Sequence, residues 1–466
     1  MVAKKNLCVL ILAAGKGTRM KSSLPKPLHP VCGVPMIAHS LRAAQALGPG
    51  AICVVVGHEA AAVMGSVTEN VEKWGITAPV LFAEQKELNG SGGAVRAASE
   101  AISRFEQVLV LNGDVPLILP ETLENMLTLA ADKKAGALVL SMQVANPTGY
   151  GRIVRGKEDN FDCIVEEADA DAATRRITEV NGGMYVFNSQ DLTAALAKLT
   201  PQGPKHEFYL TDTLSFIKQA GKPVAVYALP DETEALGVNS RAELAQAEIL
   251  MQRRINTKLM ADGVRLIRPE DTYIEAGVQI GADTTIFPGT YIQGNTTIGA
   301  NCLIEGGVMI RNCQIADNVI IRMGSYCDDS VVATTCEVGP YARLRPGAEL
   351  KTKAKVGNFS EVKKSVIGEG SKVNHLTYIG DTDMGAGVNI GAGTITCNYD
   401  GQKKHRTVIG DHCFVGSNTN FVAPVEIKPY SKIGAGSTIT KDVAENALAI
   451  ARSRQVVLEN KGIKND

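Results

Sequence analysis

The stretch Ile274-Glu275-Ala276-Gly277-Val278-Gln279-Ile280-Gly281-Ala282-Asp283-Thr284-Thr285-Ile286 carries an isoleucine at every sixth position, and the series continues through Ile292, Ile298, Ile304 and Ile310. Neither the helical period of 3.6 nor the strand period of 2 generates a six. A coil with three short sides and one inward aliphatic per side does, so the stretch reads as a hexapeptide parallel β-helix. The phase slips and resumes at Ile315/Ile321, at Val338/Leu344/Leu350/Val356/Val362, at Ile367/Val373/Ile379 and at Ile409/Val415/Phe421/Ile427/Ile433/Ile439. Residues 264–452 hold about ten coils of about 18 residues, a prism roughly 50 Å long at about 4.8 Å per stacked strand. The slips near 311–337 and 396–408 predict loops that leave the coil, and such loops commonly carry function.

Upstream the pattern differs. Ser240-Arg241-Ala242-Glu243 is a capping box, opening an Ala-, Leu- and Gln-rich helix that runs to about Ala261. Before it, strand-like runs at Val9–Leu12, Ile52–Val56, Val108–Leu111 and Ala137–Val144 alternate with helix-length patterns at Met36–Leu47 and Thr122–Lys134. That alternation predicts a mostly parallel, Rossmann-like α/β sheet with helices on both faces. In such sheets ligands gather beyond the carboxyl ends of the strands. The division expected is 1–241 for the α/β domain, 242–262 for a helical arm and 263–466 for the β-helix domain.

With 48 Lys+Arg against 49 Asp+Glu in 466 residues, the net charge is −1. That balance argues against a general nucleic-acid or anionic-membrane binder, whose affinity comes mostly from basic charge. The ten cysteines form no C-x-x-C pair, so neither a zinc knuckle nor a redox dithiol is suggested. Lys4-Lys5 ahead of the Leu7–Ala14 apolar run superficially resembles a secretory signal. The run is short and flows into Gly15-Lys16-Gly17-Thr18-Arg19, which fits a buried strand entering a loop. No stretch reaches the roughly 18 apolar residues of a membrane span, and the chain reads as soluble and cytoplasmic.

Two stretches carry chemistry. Leu12-Ala13-Ala14-Gly15-Lys16-Gly17-Thr18-Arg19-Met20 follows a strand, with Pro25-Lys26 soon after. It is neither a Walker A loop nor the dinucleotide fingerprint, whose third glycine is Met20 here. Its glycines still let backbone N–H groups approach an anion, while Arg19 and Lys26 add positive charge. Asn112-Gly113-Asp114 ends another strand on the same expected rim, and a carboxylate beside a triphosphate loop is a natural Mg²⁺ ligand.

In the β-helix, Gly339–Gly347, Val356–Lys364 and Asn374–Asp381 occupy successive coils. Coil arithmetic places Arg345, Lys363 and, after a phase slip, Tyr378 in one vertical strip suited to a sugar phosphate. His375 beside them is the candidate base, because an amine must lose its proton to become an acylated product and imidazole titrates near neutral pH.

The Leu12–Met20 motif with Leu24-Pro25-Lys26 resembles the signature of sugar-1-phosphate nucleotidyltransferases. Joined to a long hexapeptide helix, nearly the whole chain resembles the bacterial bifunctional N-acetylglucosamine-1-phosphate uridylyltransferase/glucosamine-1-phosphate N-acetyltransferases. Further matches are Asp114–Leu117, Pro147–Arg152, Ile164–Glu166, Tyr209–Asp212 and Gly237–Asn239. The resemblance implies a left-handed hexapeptide helix. It also implies synthesis of UDP-N-acetylglucosamine, a precursor of cell-wall peptidoglycan and lipopolysaccharide, by acetylation and then uridylyl transfer.

By that resemblance Leu12, Ala13, Ala14 and Gly15 hold uracil and phosphates, Arg19 and Lys26 meet phosphate oxygens, and Gln85, Gly90 and Ser91 border the base. Asn112, Gly113, Gly151, Glu166 and Asn181 shape the ribose and sugar site, and Asp114 and Asn239 ligate Mg²⁺. In the second half Arg345, Lys363, Tyr378, Asn389 and Lys404 bind glucosamine 1-phosphate. There Ala392, Asn398, Tyr399, Ser417, Ala435 and Arg452 line the acetyl-coenzyme A path, with His375 as base. A homotrimer through the β-helix is implied too. The N-terminal half departs from the family pattern at Phe82 (usually Gln), Gly93 (commonly His), Ala168 (frequently Lys) and Gly182 (frequently Thr), and about three residues are inserted after Gln85.

Two other readings compete. A single-activity nucleotidyltransferase would use the helix only as an oligomerisation platform, which leaves His375 and its cationic neighbours unexplained. A nucleotide-sensing scaffold would lack the metal ligand, yet Asp114 is present.

Overall fold

The computed structural model describes residues 4–157, 160–202, 206–459 and 461–462. They fall into two units, 1–251 and 252–466.

In the first unit the Leu7–Ile11 run lies in the Lys4–Leu12 strand and is buried throughout. Its side chains alternate between two cores, as a strand's period of 2 requires. Leu7, Val9 and Ile11 join Ile37, Leu41, Leu123 and Met126 on one face, while Cys8 and Leu10 join Val95, Leu192, Leu196 and Leu214 on the other. Helices therefore cover both faces, and each fully buried aliphatic contributes about 1.5–3 kcal/mol of burial. The strands run in the order Val224–Ala228, Ala137–Gln143, Glu179–Asn188, Gln107–Asn112, Lys4–Leu12, Pro49–Val56, Val80–Glu84. All neighbours pair parallel except Glu179–Asn188, which is antiparallel to both of its own. The Leu12↔Asn112 pairing puts the two chemical loops side by side at one rim.

The helix Arg241–Ala261 opens on its capping box. The Glu243 N–H donates to Ser240 Oγ (3.3 Å), and the Glu243 carboxylate accepts from the Asn239 N–H (2.7 Å) and the Ser240 hydroxyl (3.0 Å). Ser240→Ala is expected to cost about 1 kcal/mol. A lowered urea midpoint for the first unit would register it.

In the second unit the six-residue period resolves into three sheets of 11, 10 and 9 short parallel strands among the described residues. Ile274 pairs with Ile292 and Ile292 with Ile310, whereas Ile280 and Ile286 belong to columns on the other two sheets. One inward aliphatic per side, three sides per turn, gives the six. The left-handed hexapeptide β-helix follows the expectation.

The two predicted loops fare differently. No loop leaves the coil at 311–337. There the turn shortens instead, since Ile310 pairs with Cys327 and Ile315 with Val332, seventeen residues apart rather than eighteen. The missing residue comes out of the corners at Asn312 and Asp329, whose backbones are left-handed (φ 52° and 42°), a conformation that Asn and Asp tolerate. At 396–408 a loop does leave: Thr382 pairs with Thr407, and residues 398–406 form an excursion with a Tyr399↔Lys404 bridge. Asp400 ties it together, accepting from the backbone of Lys403 (2.6 Å) and from His405 (2.7 Å), and these bonds hold its carboxyl well below the usual range.

Candidate active sites

A cleft of about 430 Å³ opens at the rim of the first unit's sheet. Leu12, Arg19, Asn112, Asp114, Asn181 and Asn239 line it, six of the residues picked out from sequence. Asp114 follows the Gln107–Asn112 strand and is fixed from both sides, with Gly113 N–H donating to the Leu12 carbonyl (2.9 Å) and Val238 N–H to the Asp114 carbonyl (2.9 Å). The second bond brings Asn239 to the same place.

Lys26 does not itself line the cleft, but its ammonium is ion-paired with Asp114 and donates to Asn239 Oδ1 (2.6 Å). A cation therefore already sits between the two oxygens assigned to a metal. A carboxylate and an amide oxygen suit Mg²⁺, which prefers hard oxygen donors and keeps waters and substrate phosphates for the rest of its shell. The donor set fits. Among the described residues no group of three or more His, Cys, Asp or Glu competes as a metal centre.

The Ala13–Gly17 loop leads into a short 3-10 turn, Thr18–Met20. Gly17 is left-handed (φ 58°), and a Cβ there would come within 2.6 Å of Lys26 Cβ, so only glycine lets Lys26 pass. A Cβ at Gly15 would meet nothing, which leaves its backbone open to an approaching anion.

Gln85, Ser91, Glu166 and Gly151 are not part of the cleft lining. Gln85 is buried, and its amide nitrogen donates to Asn89 Oδ1 and the Gly90 carbonyl, both at 3.1 Å. Ser91 begins the Ser91–Ala97 helix and accepts the Leu210 N–H (3.2 Å). Glu166 accepts the Thr211 hydroxyl (2.9 Å), and burial pushes its carboxyl up. The Gly151 carbonyl accepts the Asn181 N–H (2.8 Å). At the departures, Leu140 fills the space a side chain at Gly182 would need, Phe82 packs on the apolar core, and Ala168 is exposed.

Sequence reasoning gave no role to the wall formed by Thr148, Gly149 and Tyr150. Arg152, fully buried, holds it: the guanidinium donates to the Tyr150 carbonyl and to Glu167 (2.7 Å), which accepts the Gly149 N–H (3.2 Å). The Pro147–Arg152 motif was the available signal.

In the β-helix, His375 ends the Lys372–His375 strand. Its Nδ1 lies 2.9 Å from Asn358 Oδ1 on the coil before. With an amide oxygen facing it, Nδ1 carries the hydrogen and Nε2 keeps the lone pair. From His375 a corner column climbs one coil at a time. The N–H groups of Gly393, Asn418 and Gly436 donate to the carbonyls of His375 (3.3 Å), Ala392 (2.7 Å) and Ser417 (2.8 Å). Arg452 caps it on the Ala435 carbonyl (2.7 Å). Four residues assigned to the coenzyme path thus stack above the candidate base.

The adjoining face gathers the cations. The ammonium of Lys404 lies alongside Lys363 and pushes it down, with Arg345 adding to the effect. Arg345 donates to Glu361 (2.8 Å). A cluster of cations close enough to hold Lys363 down is suited to an anion. Tyr378 departs from the expected strip: it pairs with Glu361, while Gly380 sits above Lys363. The coil between them has seventeen residues, so Tyr378, only fifteen on from Lys363, falls two short of it. The phenol nevertheless leans over Gly380, and the Asn398 amide donates to it (3.5 Å) and to Asp381 (2.5 Å). Tyr399, exposed, belongs to the same loop. Asn389 lies on a different sheet, between Lys372 and Phe414 in register.

Lys363→Ala is expected to raise the KM for a sugar phosphate about tenfold, the loss of one charge-assisted hydrogen bond, with a smaller change in kcat. Initial rates against sugar phosphate concentration would show the split.

The nucleotidyl transferase family model matches residues 8–233. A GMPPB C-terminal domain model matches 274–350, and the bacterial transferase hexapeptide (six repeats) model matches 406–441. The bifunctional protein GlmU of Geotalea uraniireducens is 48% identical over 460 residues, covering 98% of this chain and 99% of that protein. Its counterpart from Syntrophotalea carbinolica is 49% identical over 461 residues, with 99% and 97% covered. That from Clostridioides difficile is 44% identical over 465 residues, with 99% of both covered. No helix among the described residues is long and apolar enough to cross a membrane.

Proposed function

The chain belongs to the family of bifunctional GlmU proteins, and from that premise we propose which residues carry each half of its work. It makes UDP-N-acetylglucosamine: glucosamine 1-phosphate is N-acetylated in the C-terminal half, and the N-terminal half joins the product to uridylyl from UTP. The working division is 1–241, 242–262 and 263–466.

In the first half the phosphate oxygen of N-acetylglucosamine 1-phosphate attacks the α-phosphorus of UTP in line, and pyrophosphate leaves. Leu12, Ala13, Ala14 and Gly15 present backbone to the nucleotide, and Arg19 neutralises phosphate oxygens. Gln85, Gly90 and Ser91 border the base, and Asn112, Gly113, Gly151, Glu166 and Asn181 enclose ribose and sugar. Asp114 and Asn239 hold Mg²⁺, which supplies charge neutralisation of the phosphates when bound. Lys26, already between these oxygens, then serves the triphosphate.

In the second half acetyl-coenzyme A lies along Ala392, Ser417, Ala435 and Arg452, with Asn398 and Tyr399 from the excursion loop. Arg345, Lys363 and Lys404 seat the sugar phosphate, with Tyr378 beside it. His375 Nε2 takes a proton from the amine as nitrogen attacks the thioester carbonyl, the C–S bond breaks, and coenzyme A leaves. The observation supporting this half is the backbone column in which His375 lies one coil below Ala392, with Ser417 and Ala435 above.

The working assembly is a homotrimer through the β-helix. Met323, Tyr341, Phe359 and Leu376, each at least half exposed, form an apolar ladder up one corner, with Tyr341 and Phe359 stacked at 5.7 Å. Asn389, on a different sheet from Lys363, would then serve the site of a neighbouring copy. The ten cysteines form no disulfide, which suits the reducing cytoplasm.

The test offers UTP, GTP, ATP or dTTP with Mg²⁺, and either sugar phosphate, and reads pyrophosphate and free thiol separately. UTP with N-acetylglucosamine 1-phosphate is expected to give pyrophosphate, and acetyl-coenzyme A with glucosamine 1-phosphate to give thiol. A preference for ATP or dTTP would overturn the first half, and no thiol release the second.

A further inference from the structure

We infer that Asn89 and Gly93 together lock the Gln85 amide as a pure hydrogen-bond acceptor, and that this lock sets uracil over cytosine in the nucleotide site. The inference rests on the reading of the first half as a uridylyltransferase and goes beyond it in naming what positions the base reader.

Gln85 Nε2 has two hydrogens and two partners, Asn89 Oδ1 and the Gly90 carbonyl, each at 3.1 Å. A backbone carbonyl can only accept, so the Gly90 contact fixes which end of the Gln85 amide is nitrogen. Asn89 must then present its own oxygen. Asn89 is itself anchored through its backbone, since its carbonyl accepts the Phe208 N–H (2.7 Å) and its N–H donates to the Glu87 carbonyl (2.9 Å). Among the described residues nothing donates to Gln85 Oε1, and that atom is absent from the sealed, unpartnered polar atoms of the buried interior. Donors spent and acceptor free, Gln85 can meet a base only at an atom that carries a hydrogen, and at ring position 3 uracil carries one and cytosine does not.

Gly93 makes the arrangement possible. A Cβ there would stand 1.8 Å from Asn89 Oδ1 and 2.8 Å from its Cγ, so the Asn89 side chain occupies the space that any residue but glycine would claim. The lengthened loop after Gln85 and the glycine at 93 are thus one adaptation rather than two.

Uracil carries a hydrogen on N3 between two carbonyls. Cytosine has a lone pair at that atom and would face Oε1 acceptor to acceptor. A pinned amide cannot turn to accommodate it, whereas a free one could swap its ends at the expense of one hydrogen bond.

The test compares kcat/KM for UTP and CTP in pyrophosphate release, in the full chain with Mg²⁺ and N-acetylglucosamine 1-phosphate. Asn89→Ala is expected to narrow the UTP preference about tenfold, mostly through KM, the worth of one hydrogen bond. Asn89→Asp keeps the accepting oxygen and is expected to keep the preference within about twofold. Gly93→Ala, which displaces Asn89 from the other side, is expected to narrow it as Asn89→Ala does. Unchanged preference in Asn89→Ala, or equal narrowing in Asn89→Asp, would overturn the lock. So would loss of all turnover in both Asn89 variants, since that marks a structural residue. If the wild-type chain itself shows no preference for UTP, it is the uridylyltransferase reading that fails.

Discussion

Asp114→Ala is expected to lower pyrophosphate release by on the order of 10³-fold while coenzyme A release stays within about twofold. The carboxylate stands at the end of the Gln107–Asn112 strand, pinned through its backbone to Leu12 by way of Gly113 and to Val238, so its removal leaves the strand rim in place. What goes is one of the two oxygens that now hold the Lys26 ammonium and that would hold a divalent cation. Charge stabilisation at a transferring phosphoryl group is worth several kcal/mol, and about 4 kcal/mol is roughly 10³ in rate. The acetylation residues belong to the other unit, whose buried core is a separate cluster of aliphatics from Leu259 to Val443. Parallel assays of pyrophosphate and thiol on one preparation decide it. Loss of both activities in a folded protein would contradict two independent sites.

The division into two units was legible in the sequence because each follows its own hydrophobic period. Burial enforces a period: an inward position on a three-sided coil admits an aliphatic and rejects a charge, so Ile274 to Ile310 announces the coil without any knowledge of corners. Corner length is under no such constraint. A turn at Asn312 or Asp329 can shed a residue while every inward position stays filled, as Cys327 fills the place after Ile310. Tyr378 is fifteen residues on from Lys363, two short of its seventeen-residue turn, and so lands on Glu361. Apolar pattern reports the sides of the prism and is silent on its edges.

The sites divide along a similar line. Residues proposed to meet a ligand on short glycine-bearing loops are proposed by type, because phosphate chemistry needs cations, backbone N–H groups and an oxygen ligand in reach. Residues that hold those loops cannot be. Arg152 is a cation by composition and a buried clamp in the fold, and only the placement of Glu167 and the Tyr150 carbonyl distinguishes the two. Asn89 is an ordinary loop residue until the Gln85 amide and the vacancy at Gly93 are seen around it.

For the second half, His375→Ala is expected to lower acetyl-transfer turnover by about 10²–10⁴-fold, the usual worth of a positioned general base. Position is what distinguishes this imidazole from a packed one. It is exposed at the end of its strand, Asn358 fixes Nδ1 as the donor at 2.9 Å, and Nε2 is left to receive the amine proton. The column above it, proposed for the coenzyme, is built from backbone carbonyls and the small side chains of Ala392, Ser417 and Ala435, none of which depends on the imidazole. The KM for acetyl-coenzyme A is therefore expected to change by less than about threefold, and the cost to fall on kcat. Lys363→Ala should show the opposite split, since it removes a charge from the sugar-phosphate seat and leaves the base untouched. Steady-state thiol release against each substrate in turn separates these outcomes. Should His375→Ala retain half its turnover, the histidine would be a corner residue of the coil, and the amine would have to lose its proton to another group on that face.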